Sequence, residues 1–355
     1  MKLLVRAPNW LGDAVMAIPA LREIRRANPK AEIAVLAKPS AAPLYRRESF
    51  CDRLILDDGD GRHRGLAGRW RLARELRKER FGAALLLTNS FATAAVVWAA
   101  RIARRIGYDR DGRGLLLTQA IPPPRQGEIP RHQRFYYLEL LRRAGWIDRL
   151  PGCPAIRLEN VDEAAAAGRR EWVRRGLPEA PWIGVSPGAA FGGAKRWLPE
   201  RFAAAAERLA QERDARIAIF GSPAEAPLCE ALAAAAGPRA VSLAGQTSLE
   251  QFIELAATCE LYLSNDSGPM HVASALGVPT VAVFGATDHE ATGPAGSGSR
   301  IVRRPVECSP CLLRECPIDH RCMTGVGVAD VVEAAQAQTA RAGRGERTPS
   351  SAAPQ

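Results

Sequence analysis

The chain has 355 residues, 47% hydrophobic and 25% charged, with 49 Lys+Arg against 38 Asp+Glu. At about 150 residues per domain this length predicts two domains, each able to bury its own core, and the composition excludes a disordered or fibrous chain. Residues 1–150 hold 29 Lys+Arg and 15 Asp+Glu, a balance of +14, whereas residues 151–355 balance at −3. The basic half calls for an anionic partner, and on charge alone nucleic acid, an anionic membrane face and a phosphorylated substrate are all open.

Residues 2–7 form an apolar run that reads as a buried strand; Arg6 breaks it too early for a signal-peptide core, so a cytoplasmic protein is expected. After the turn Pro8-Asn9-Trp10-Leu11-Gly12, apolar Val15, Ile18, Leu21 and Ile24 recur at helical spacing. Residues 31–37 and 54–56 read as strands and 66–79 as a basic helix. Residues 81–100 contain no charge, but Thr88-Asn89-Ser90 interrupts them where lipid would penalise polar groups. A strand over 83–87, a polar turn and a helix over 91–104 are therefore expected rather than a membrane span. Residues 118–130, with three consecutive prolines, read as a loop, 159–175 as a charged helix and 176–181 as a linker.

The pattern then restarts. Strands are expected at 182–186, 215–220, 241–244, 261–264 and 280–284, with helices at 199–213, 225–236, 249–257 and 270–276. Short apolar strands alternating with helices predict parallel sheets covered on both faces. The expected fold class is α/β: two doubly wound, Rossmann-like domains facing across a cleft. The first domain covers 1–175 and the second 181–337, and 338–355, rich in Gly, Arg, Ser, Pro and Ala, reads as a disordered tail.

Four segments are candidates for chemistry. Ser264-Asn-Asp-Ser-Gly-Pro-Met-His271 lies between a buried strand and a helix start, where Asp266, Ser267, Gly268 and His271 suit either anion binding or plain capping. Ser186-Pro-Gly188 through Lys195-Arg196 is a glycine-rich loop ending in two cations. It matches neither the nucleotide-triphosphate loop nor the dinucleotide pattern, so it reads as a loop delivering Lys195 to a diphosphate or as a solvated surface loop. Asp13, at the entrance to the first helix, is an N-cap or a general base projecting from the sheet's carboxyl edge. Cys308, Cys311, Cys316 and Cys322, with His320, have the density of a structural zinc site or are packed, reduced thiols. Arg62, Arg64, Arg69, Arg71, Arg74, Arg77, Lys78 and Arg80 form a basic run without a nucleic-acid module; a solvated helix face and an anionic leaflet both account for it.

These segments, together with Thr88-Asn-Ser-Phe91 and Leu243-Ala-Gly-Gln-Thr-Ser248, run in order from residue 1 to about 325 and resemble glycosyltransferase family 9, the bacterial heptosyltransferases. The resemblance implies a GT-B fold, an acceptor domain followed by a nucleotide-sugar domain, and an inverting reaction needing no metal for chemistry. It implies ADP-L-glycero-D-manno-heptose as donor and the inner-core heptose of lipopolysaccharide, on lipid A–core, as acceptor. Read with that acceptor, the basic excess of residues 1–150 points to a peripheral seat on the anionic inner face of the inner membrane, and to no nucleic-acid partner. Asp13 maps to the proposed base, and Gly188, Lys195, Asp266, Ser267, Gly268 and His271 to donor contacts. Asn9, Trp10, Asn89 and Ser90 map to the acceptor side. No role for the cysteine segment follows from the resemblance. The alternatives are a family-9 transferase with another donor or acceptor, a nucleotide-sugar epimerase, or a nucleic-acid module, whose oligonucleotide affinity would fall steeply with salt.

Overall fold

The computed structural model describes residues 1–152 and 155–342. The chain divides into two compact units, Met1–Val161 with Glu290–Thr292, and Asp162–His289 with the chain from Gly293 onward.

The first unit opens with β1 (Lys2–Arg6), α1 (Leu11–Met16), α2 (Ile18–Ala27), β2 (Glu32–Ala37) and β3 (Arg53–Leu56). It continues through α3 (Gly65–Glu79), β4 (Ala83–Leu86), α4 (Phe91–Ala99), β5 (Arg104–Tyr108), β6 (Gln119–Ile121) and α5 (Arg134–Arg143). Its six strands lie in the order β3-β2-β1-β4-β5-β6, and every pairing is parallel. Leu3, Leu4 and Val5 of the central strand are fully buried, as expected for a strand covered by helices on both faces. On one face Leu4, Leu36 and Leu86 pack against Leu72 and Leu76 of α3 and Val97 of α4.

The sequence reading missed three elements here. The helix expected to reach residue 104 ends at Ala99, Arg101 takes a left-handed conformation, and Arg104 already starts β5. Two arginines open that strand, so its apolar part is only three residues long. The stretch 118–130 includes the three-residue edge strand β6, paired with Ile106–Tyr108 of β5. Helix α5 was not anticipated at all.

The second unit begins with α6 (Val161–Arg174), β7 (Trp182–Ser186), α7 (Pro199–Arg213), β8 (Arg216–Ile219), α8 (Ala226–Ala235) and β9 (Ala240–Ser242). Then come α9 (Leu249–Ala256), β10 (Leu261–Asn265), α10 (Gly268–Ala275), β11 (Thr280–Phe284), α11 (His289–Thr292) and β12 (Ser299–Arg303). The short α12 (Arg321–Thr324) and α13 (Val328–Ala342) complete it. The sheet order is β12-β11-β10-β7-β8-β9, again all parallel. Counted from its own first strand this is the arrangement of the first unit, so both halves are Rossmann-like sheets with the same order reversal.

Two expected boundaries are corrected. Helix α6, expected in the first domain, belongs to the second unit, and the division falls at Val161 rather than after residue 175. The cause is Trp172, whose ring stacks on Trp182 at 4.1 Å and 8° and whose Nε1 donates to Thr258 Oγ1 at 2.9 Å. Gly168 lets the helix come so close that a Cβ there would lie 2.1 Å from the Glu254 carbonyl oxygen. The start of the expected tail is also helical, since α13 runs to Ala342 and packs Val331, Val332 and Ala335 into the core with Phe202 and Leu209. The rest of that tail lies outside the described residues.

Candidate active-site loops

In a doubly wound sheet, neighbouring strands whose connections leave in opposite directions open a crevice at their carboxyl ends, and ligands bind there. In the second unit those strands are β7 and β10. Buried Asn265 ties their loops together: its Oδ1 accepts from Trp197 N at 2.9 Å and its Nδ2 donates to Pro187 O at 2.7 Å. Next to it Asp266, 4% exposed, accepts from Lys195 Nζ at 2.7 Å and from the Thr287 hydroxyl. Lys195 Nζ also lies 4.8 Å from the centroid of the Phe191 ring, so carboxylate and ring together hold its cation.

Ser267 is the N-cap of α10, but its side chain makes no capping bond; its Oγ lies 3.1 Å from Ser264 Oγ instead. Its hydroxyl thus leaves the first-turn amides of α10 to other partners, with the helix's positive end beside them. His271 is buried in that first turn. Lys195, Asp266, Ser267, Gly268 and His271 therefore share one sheet edge. Gly188 has a different neighbour: a Cβ there would fall 1.8 Å from Glu225 Oε1. Glu225, whose other oxygen accepts from Ser222 N at 2.8 Å, thereby enters the site although the sequence carried no motif for it.

The cysteine-rich segment braces the Lys195 loop. Arg314 O accepts from Ala194 N at 2.9 Å, Glu315 Oε1 accepts from Gly193 N at 2.9 Å, and His320 Nε2 donates to Ala194 O at 3.0 Å. Cys308 is exposed and Cys322 buried, and all the described cysteines are free thiols. Among the described residues no group of three or more His, Cys, Asp or Glu is arranged to hold a metal ion. Burial raises the pKa of the Cys322 thiol, as do the neighbouring Cys308, Cys311 and Cys316.

In the first unit the equivalent strands are β1 and β4. Asp13 is not the N-cap of α1; Trp10 is, and Asp13 stands in the first turn, where the helix end favours a carboxylate. Tyr137 of α5 donates its hydroxyl to Asp13 Oδ1 at 3.3 Å. Burial, and then the Asp13 charge, push the Tyr137 phenol well above its ordinary pKa, so it stays a donor. Buried Arg6 donates to Asn9 Oδ1 at 2.7 Å and to Asp57 Oδ2 at 2.9 Å, which fixes the loop leading to Asp13; Trp10 beside it is 63% exposed.

At the end of β4, Asn89 Nδ2 donates to Tyr136 Oη at 3.0 Å, while Ser90 is the N-cap of α4 and accepts from Thr93 N at 3.4 Å. Arg113, fully buried, donates to the carbonyls of Thr88 and Tyr108 and so closes the ends of β4 and β5; burial pulls its pKa down to about 10. The adjacent tyrosines of α5 thus reach one loop each, Tyr136 to Asn89 and Tyr137 to Asp13. Arg6, Arg113, Tyr136, Tyr137, Glu225 and Thr287 were all missed by sequence reasoning. Arg6 alone carried a signal, as a charge inside an apolar strand.

The sequence profile described as glycosyltransferase family 9 (heptosyltransferase) matches residues 69–321. Lipooligosaccharide heptosyltransferase 2 of Haemophilus ducreyi is 33% identical over 85% of this chain and 88% of its own length. Lipopolysaccharide heptosyltransferase 2 of Escherichia coli is 30% identical over the same shares, 85% and 88%. The solved structure of the E. coli ADP-heptose lipopolysaccharide heptosyltransferase II superposes with a TM-score of 0.80 at 28% identity, covering 97% of this chain and 100% of that one. The E. coli heptosyltransferase WaaC with ADP, at 18% identity and TM-score 0.71, shares the fold over 95% of this chain and 100% of its own.

Proposed function

The chain belongs to glycosyltransferase family 9, and we propose that it works as an inverting heptosyltransferase with its base at the β1 edge and its donor site at the β7/β10 edge. The enzyme transfers heptose in assembly of the lipopolysaccharide core. The observation that carries the donor-site assignment is the Lys195–Asp266 pair beside the unfilled cap of α10, at the order reversal of the second sheet.

On this reading ADP-L-glycero-D-manno-heptose lays its diphosphate against Lys195, His271 and the first amides of α10. These preorganised donors meet the negative charge that grows as ADP leaves, and losing one such donor typically costs about 10²–10³ in rate. Asp13 takes the proton of the inner-core heptose hydroxyl as that oxygen attacks the anomeric carbon opposite the departing phosphate. Bond making and proton removal need no metal in this scheme. Asn9, Trp10, Asn89 and Ser90 line the acceptor edge, Asn9 and Asn89 held by Arg6 and Tyr136. The basic balance of residues 1–150 supports a peripheral seat on the anionic inner leaflet, where a lipid A–core acceptor is presented.

Replacing Asp13 by Asn tests the base. The turnover rate with ADP-heptose and a core acceptor is expected to fall about 10²–10⁴-fold while ADP affinity is kept; near-normal turnover would remove Asp13 from the chemistry.

A further inference from the structure

We propose that the outer face of α3 and α4 is a lipid-docking surface that seats the enzyme on an anionic bilayer. The inference deepens the membrane reading above and rests on it, naming the surface that reading lacks.

Helix α4 has no charged residue. Its inner face, through Ala94, Val96 and Val97, is built into the core with Leu72, Ala73 and Leu76 of α3. The opposite stripe carries Phe91 and Trp98, 51% and 54% exposed and two turns apart. A helix that is apolar all round belongs in a core or against an apolar phase. Along the neighbouring α3, Leu66 and Trp70 lie one turn apart and are 89% and 53% exposed. The Arg74 guanidinium lies 5.8 Å from the centroid of the Trp70 ring. Arg71, Arg77 and Lys78 on α3, and Arg101 just after α4, are exposed as well. The 3₁₀ turn Gly114–Leu116, which adjoins α4, adds the exposed Leu115.

Large rings and leucines among arginines suit an interfacial surface: apolar groups enter the headgroup–acyl boundary while cations meet phosphates. A second copy would match the rings but oppose one positive face with another. A nucleic acid would match the cations and leave Leu66, Trp98 and Leu115 without partners. An anionic bilayer satisfies both sets at once.

Vesicle flotation of the full chain tests the surface, with phosphatidylcholine alone or mixed with phosphatidylglycerol. The wild type is expected to float with the acidic vesicles and to be released by salt. The double change Trp70→Ser with Trp98→Ser should weaken that binding about tenfold or more. Arg74→Glu with Arg77→Glu should weaken it about fivefold or more for each cation lost. All four side chains are exposed, so melting temperature and transfer to a deacylated, water-soluble acceptor should stay at wild-type values. Equal binding to neutral vesicles, or unchanged flotation of the tryptophan variant, overturns the proposal while soluble-acceptor transfer still upholds the transferase. Loss of soluble-acceptor transfer by the wild type would sink the transferase reading, and flotation would still judge the surface. If light scattering shows a dimer that the tryptophan variant dissociates with no change in flotation, the face joins copies of this chain and the proposal fails.

Discussion

Asp13 sits in a six-residue helix, yet a group that steadies its carboxylate comes from a residue 124 positions later in the chain. Tyr137 is 4% exposed, its ring packs edge-on against Tyr136 at 5.9 Å, and its hydroxyl is the part that reaches Asp13. Replacing it by Phe keeps the ring and removes one hydrogen bond to a charged group, worth about 1.5–3 kcal/mol at good geometry and less at 3.3 Å. A carboxylate that has lost this donor is less well aligned with an acceptor hydroxyl, and misplacement of a reacting group is costly in rate. Tyr137→Phe is therefore expected to lower kcat about tenfold with the donor KM unchanged. Steady-state kinetics with donor and acceptor varied separately decide it, and a wild-type kcat would show that Tyr137 only fills space.

At the scale of elements, the loop carrying Lys195 is held from outside, by a segment more than a hundred residues later. Gly192 makes that contact possible, because a Cβ there would fall 2.2 Å from the Arg314 carbonyl oxygen. Gly192→Ala must push the loop off its brace and move Lys195 relative to Asp266. Donor KM is expected to rise about tenfold with little change in melting temperature, since the strands and helices of the core are untouched; an unchanged KM would mean the brace is dispensable. Such contacts explain what the sequence shows and what it hides. The helical periods of α2, α6 and α7 and the apolar runs of β1, β7 and β10 are local, so they are readable along the chain. Strand β5 hides behind Arg104 and Arg105, and α5 mixes buried Tyr137 and Leu138 with three arginines, so neither shows a clean period. The site reads the same way. Asp13 and the 264–271 segment follow strands directly, whereas Glu225, Thr287 and Tyr137 arrive through tertiary packing. The domain boundary escapes a sequence reading for the same reason, because tertiary contacts such as the stacked pair Trp172–Trp182 and the Trp172–Thr258 hydrogen bond commit α6 to the second unit.

For the whole molecule, two sheets of one strand order carry different chemistry at the same topological position. The first edge offers a carboxylate held by a phenol; the second offers a cation, a histidine and an uncapped helix end. A diphosphate finds a lysine, a histidine and helix amides at the second edge, and the residues named for the two edges do not overlap. Binding of ADP should then raise the melting temperature by mass action, by about 5–10 °C at a hundredfold excess over Kd. Asp13→Asn leaves every donor contact in place and should keep that shift in full. Lys195→Ala removes the half-buried cation, leaves Asp266, itself 4% exposed, without it, and should abolish most of the shift at the same ADP concentration. Differential scanning fluorimetry of the three proteins with ADP, UDP and GDP reads this directly. A shift lost in Asp13→Asn and kept in Lys195→Ala would exchange the roles of the two sheets. An equal shift with all three nucleotides would place recognition in the diphosphate alone and leave the choice of base to groups other than these loops.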